Sequence, residues 1–128
     1  MTDGKLAWKA RDKYQIAIFA LSTEQSVIPE GIWVHVLVSF DSVSGFAKIF
    51  VNGHQKALAK FAKEVPIGGD WGEILIGGRS LGSQDLGGYM DELVMYNWEL
   101  DASEISYVMK YCPDHPKLVS FTVHIPLK

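Results

Sequence analysis

The sequence predicts an all-β fold of antiparallel strands carrying one short helix towards its C-terminal end, and three observations lead there. Most segments alternate apolar and polar residues between turns rich in Gly, Asp and Asn, the period of a half-buried strand. Between two such segments stands Asn52-Gly53, the residue pair that suits both positive-φ positions of a type I′ hairpin turn. Further on, Asp101 and Glu104 precede Ile105, Val108 and Met109, a capping box opening a helix with one apolar face. At 128 residues and 14.2 kDa, residues 1–128 are sized for a single domain.

Residues 5–10 and 14–21 are the first strand candidates. In the second, Ile16 to Leu21 run apolar without a break, which predicts burial on both faces. The clearest strand is 32–40, with Ile32, Val34, Val36, Val38 and Phe40 on one face and Trp33, His35, Leu37 and Ser39 on the other. Val34, Val36, Val38, Ile49 and Leu93 are expected in the core, so Val36→Asp should abolish soluble folding. Asp41-Ser42-Val43-Ser44-Gly45 carries turn chemistry, a carboxylate able to accept from the amides ahead and a glycine free to take positive φ.

Residues 46–51 return, and Asn52-Gly53 leads into a strand over 54–61, giving three antiparallel strands in a row. A loop over 66–72 and a short strand over 73–76 follow, then a loop over 77–88 with five glycines. A strand over 89–98 and a helix over 101–111, stopped by Pro113, come next. Val119, Phe121, Val123 and Ile125 alternate with polar or exposed positions, a last strand with one buried face.

Charge and composition exclude several classes of function. A formal charge of -3 and a pI near 5.7 argue against nucleic acid held by counterion release, and Lys56, Lys60 and Lys63 read as a solvated face. No apolar run approaches the ~20 residues of a membrane span, so no membrane insertion is expected. Residues 1–13 are too charged to be the core of a secretory signal, and a signal is expected upstream of this chain. The single cysteine, Cys112, has no internal disulfide partner and reads as a structural thiol.

The run Gly31 to Asp41, then Gly45, Lys48-Ile49-Phe50-Val51-Asn52-Gly53, Ile74-Leu75-Ile76-Gly77-Gly78, Gly88-Tyr89-Met90-Asp91-Glu92-Leu93-Val94-Met95-Tyr96, Leu100 and Glu104-Ile105 resembles the laminin-G-like and pentraxin-like domains. These are concanavalin-A-like jelly rolls, antiparallel β-sandwiches, and the resemblance spans residues 4–111. It implies a non-catalytic extracellular recognition module for glycans or proteins, often with calcium at one rim. Such domains begin with more strands than fit before Gly31, so the expectation is either a chain lacking N-terminal strands or a divergent compact version of the domain. Where pentraxins supply calcium oxygens from Gly-Gln-Glu-Gln-Asp, this chain has Gly77-Gly78-Arg79-Ser80-Leu81. No cofactor and no strong calcium site are therefore expected, Asp85 being a weak metal candidate.

The loop 77–88 lacks the Lys-Ser/Thr of a phosphate loop, but Arg79, Ser80, Gln84 and Asp85 are groups able to hold a sugar or a carboxylate on a surface tether. Trp71, in the neighbouring Gly-rich loop, is the tryptophan expected to be exposed. Asp91 and Glu92 are adjacent on the expected strand and should face opposite ways, so they cannot share one substrate bond. His35, His54, His115 and His124 show no metal-ligand spacing.

The function expected is that of a recognition module for a glycan or an extracellular or cell-surface protein, working outside the cell as part of a larger protein, and not an enzyme. A structural domain that self-associates is the alternative, because missing strands would leave a sheet edge for another copy to complete. A glycan-active enzyme on the same fold ranks third.

Overall fold

The computed structural model describes residues 4–61, 76 and 86–111. In chain order these form β1 (Ala7–Arg11), β2 (Ala17–Ser22), β3 (Val36–Asp41), β4 (Phe46–Val51), β5 (His54–Lys60) and α1 (Ala102–Tyr111). Among the described residues the strands make two antiparallel sheets, β1-β2 and β3-β4-β5, as the alternating pattern predicts.

Local chemistry sets each turn. Asp12 Oδ1 accepts from the amides of Tyr14 (2.8 Å) and Ile16 (3.0 Å) between β1 and β2. Between β3 and β4 the Asp41 carboxylate accepts from the amides of Val43 (3.0 Å) and Ser44 (3.1 Å), and Gly45 takes φ +78°. Asn52 (φ +49°) and Gly53 (φ +80°) occupy the left-handed region that a type I′ turn demands. At α1, the Glu104 amide donates to Asp101 Oδ1 (2.8 Å) while the Asp101 amide donates to Glu104 Oε2 (2.9 Å), the reciprocal capping box that the sequence predicts.

The inner face of the three-stranded sheet packs against the two-stranded one, with β2 lying over β4 and β5. Phe19, Leu21, Ala47, Ile49, Val51 and Phe61 form this core. An aromatic chain crosses it: Phe19 stacks on Phe40 (5.6 Å between centroids) and Phe40 on Phe61 (4.5 Å, 11° between planes). The opposite face of β3-β4-β5 is covered by α1 and the segment before it. Leu37 and Phe50, cross-strand partners, meet Leu100, Ile105 and Val108 there, and Lys48 Nζ pairs with Glu99 at 2.7 Å.

Several expectations do not survive. The segment 16–21 buries alternate residues, Phe19 and Leu21, while Ile16, Ala17 and Ala20 are exposed, because one sheet covers β2 on one face only. In β3, register places Val36 and Val38 beside Val51 and Ile49, on the expected face, yet they remain 42 % and 46 % exposed. Among the described residues β3 is the outer strand of its sheet, and β2 lies over β4 and β5 instead. Val36→Asp therefore loses its rationale as a buried charge. The segment 89–98 is irregular rather than a strand, Glu92 turning to φ +50° with its amide held by Asp91 Oδ1 (2.8 Å), and Leu93 is exposed. The opposite-face argument for Asp91 and Glu92 falls with that strand. The expected strands over 73–76 and 119–125 lie outside the described residues, Ile76 excepted.

Candidate functional site

Where the β2–β3 connection faces the β4–β5 hairpin, the surface folds into an open groove of about 670 Å³. Both walls are fixed by backbone. On the connection, the Leu6 amide donates to Thr23 Oγ1 (3.1 Å), whose hydroxyl donates to the Gln25 carbonyl (2.9 Å). The amides of Val27 and Ile28 both donate to the Gly4 carbonyl (2.8 and 3.0 Å). Gly4, at φ +75°, has no room for a side chain, since a Cβ would overlap Ser26 Oγ and come within 2.9 Å of the Ile28 carbonyl. On the hairpin, the His35 amide donates to Asn52 Oδ1 and the Asn52 amide to the His35 carbonyl, each at 2.9 Å.

Between these walls Val27, Pro29, Ile32, Val34 and Val51 offer apolar surface, ringed by Glu24, Gln25, Ser26, His54 and Lys56. A second hollow of about 340 Å³ continues between the end of β2 and the start of β5, and shares Glu24 and Lys56 with the first. The side chains of Glu24, Gln25, His54, Gln55 and Lys56 make no hydrogen bond or ion pair among the described residues. Such unengaged donors and acceptors around an apolar floor suit binding of a polar ligand. Among the described residues Glu24 is the one carboxylate lining the two hollows.

His35 ties the groove wall to pH. Burial holds its pKa below the usual imidazole value of about 6.5, and its Nδ1 is buried without a hydrogen-bond partner among the described residues. Above 6.5 the ring is neutral in both folded and unfolded chains and contributes nothing. As pH falls below 6.5, the unfolded chain takes up a proton that the folded one resists, so stability declines. Melting temperature should therefore drop as pH falls below about 6.5, and His35→Gln should flatten that part of the profile.

The sandwich has relatives. A laminin-G family model, Laminin_G_3, described as the concanavalin A-like lectin/glucanases superfamily, matches residues 1–106. The chain belongs to this superfamily. Among solved structures, an S-layer domain-containing protein from Clostridium thermocellum resembles this laminin-G-like domain at TM-score 0.53 and 19 % identity, over 82 % of this chain. The domain spans 50 % of that structure's chain. No curated protein matches the sequence.

The residues singled out as ligand groups, Trp71, Arg79, Ser80, Gln84 and Asp85, all lie outside the described residues of the laminin-G-like domain. So does Gly78-Arg79-Ser80-Leu81-Gly82, whose spacing matches a Gly-x-Ser-x-Gly nucleophile elbow, a match that the reading of this loop as a phosphate-loop or sugar-holding candidate does not take in. That motif acts from a strand-to-helix turn in an α/β sheet, a context foreign to a sandwich. Among the described residues no three His, Cys, Asp or Glu side chains cluster as metal ligands, and no helix is long and apolar enough to cross a membrane. The groove itself was passed over because Glu24, Gln25 and Lys56 look like ordinary solvated residues. The polar run Thr23-Glu24-Gln25-Ser26 before Pro29 is the signal that marks its rim.

Proposed function

We propose that this domain is a non-catalytic recognition module that holds a glycan or an extracellular protein in the groove between the β2–β3 connection and β5. It works at or outside the cell surface within a larger protein. The carrying observation is that five polar side chains without a partner among the described residues, Glu24, Gln25, His54, Gln55 and Lys56, line the groove and the hollow that continues it, beside apolar surface. Membership of a superfamily that includes lectins supports it, as does the likeness to a protein described as S-layer domain-containing. The described lining of the groove offers one carboxylate, where glycosidic hydrolysis normally uses two, which supports binding over hydrolysis.

Screening the full chain against a glycan array and an extracellular-protein panel tests this reading. Glu24→Ala and Lys56→Ala should each weaken a captured ligand about tenfold, or ~1.4 kcal/mol, at unchanged melting temperature, because both residues are exposed. Chelation of calcium should leave binding intact. A ligand indifferent to both substitutions would place the site elsewhere. The exposed Val36 and Val38 of β3 favour self-association as a second reading, which sedimentation at low micromolar concentration separates from the first.

A further inference from the structure

Among the described residues β5 is the outermost strand of its sheet, and its free edge is set up to pair. The Phe61 amide donates towards β4, to the Gly45 carbonyl at 2.8 Å. Because successive residues of an antiparallel strand alternate the direction of their backbone groups, Leu58 and Lys60 direct N–H and C=O away from β4. Both are exposed, Leu58 by 50 %. β5 contains no proline to blunt this edge.

Charge decides which strand can come. Lys56 and Lys60 are exposed on β5, and lysine on an edge opposes pairing with a second β5 by like-charge repulsion. The same lysines attract a strand bearing carboxylates. Beside this edge runs the hollow between β2 and β5, with Leu21, Ala57 and Leu58 giving it apolar walls and Glu24 standing where it joins the larger groove. Among the described residues no Trp, Tyr or Phe lines either part, so the described lining offers no flat aromatic surface of the kind on which a pyranose ring packs.

We infer that the ligand of this site is an extended peptide with acidic side chains, which adds as a strand to the outer edge of β5 and seats alternate side chains along the β2–β5 hollow. The inference rests on the recognition reading above and narrows its ligand to polypeptide. Backbone bonds to Leu58 and Lys60 supply affinity, while Lys56 and Lys60 select for acidic residues and Glu24 for a basic one.

Amide hydrogen exchange on the full chain is the first measurement. Ala57 and Ala59, directed at β4, should be protected, and Leu58 and Lys60 should exchange near the free rate. Random peptides of the length of β5, 7 residues, are then selected from a displayed library. Enriched peptides should carry Asp or Glu and slow exchange at Leu58 and Lys60 about tenfold or more. Leu58→Pro removes an outward amide while leaving the bonds to β4 in place, and should abolish peptide binding in a folded chain. Lys60→Glu keeps that amide and should shift selection towards basic peptides, which covers the case of a proline variant that does not fold.

Slow exchange at Leu58 and Lys60 in the free chain would mean that the edge is already taken, by the chain itself or by another copy, and would overturn the inference. Glycan binding sensitive to Glu24→Ala, with no peptide selected, would overturn it while leaving the recognition reading intact. Neither glycan, protein nor peptide captured would bring down both.

Discussion

Ile49→Ala should destabilise the domain by about 3–4 kcal/mol, within the ~2–5 kcal/mol range of buried Ile truncations. Ile49 is wholly buried at the middle of β4, paired with Val38 on one side and Ala57 on the other. It belongs to the cluster of Phe19, Leu21, Ala47, Val51 and Phe61. Removing its outer carbons leaves a void that the strands on either side cannot close without breaking their own pairing. For a chain of this size, the melting temperature should fall by roughly 10–15 °C.

The cross-strand partner supplies the control. Val38 lies on the same face as Ile49 but is 46 % exposed, so Val38→Ala should cost less than about 1 kcal/mol. Urea or thermal denaturation of both variants reads the difference. Equal losses would mean that the face of β3 is covered in solution, and the picture of an open outer strand would be wrong.

How far sequence reaches is visible in the elements themselves. Asn52-Gly53 and the Asp101–Glu104 capping box were legible because each is decided by residues within a few positions of one another, through φ preference and reciprocal hydrogen bonds. The Asp41 turn was legible for the same reason. Burial of Val36 and Val38 was not, because alternation says which residues share a face and not whether another layer reaches that face. The segment 89–98 misled in a related way. Its apolar content suits a strand, but a strand needs a neighbour to bond, and Glu92 at φ +50° turns the chain instead. The groove was hidden for a topological reason: Glu24 and Lys56 come together only after β2 has packed against β5.

Val108→Asp should have the other large effect. Val108 is 2 % exposed and sits with Ile105 and Leu100 against the outer face of the sheet, over Leu37 and Phe50. A carboxylate there would be buried among apolar side chains, at a cost of several kcal/mol, and α1 can escape it only by leaving the sheet. Undocking would uncover Leu37 and Phe50. It would also withdraw Met109, whose Sδ lies 3.3 Å from the point where a Gly53 Cβ would stand, from the hairpin that walls the groove. Helical circular dichroism should drop and the melting midpoint fall by more than about 10 °C. Val108→Ala, which leaves a smaller void and no charge, should lose about 2 kcal/mol and keep the helix. Because the hairpin carries Asn52 and leads directly into β5, ligand affinity should fall with Val108→Asp even at temperatures where the inner core remains folded. A variant that keeps both its helix signal and its midpoint would show that α1 is not docked through Val108, and that the outer face of the sheet is closed by something else.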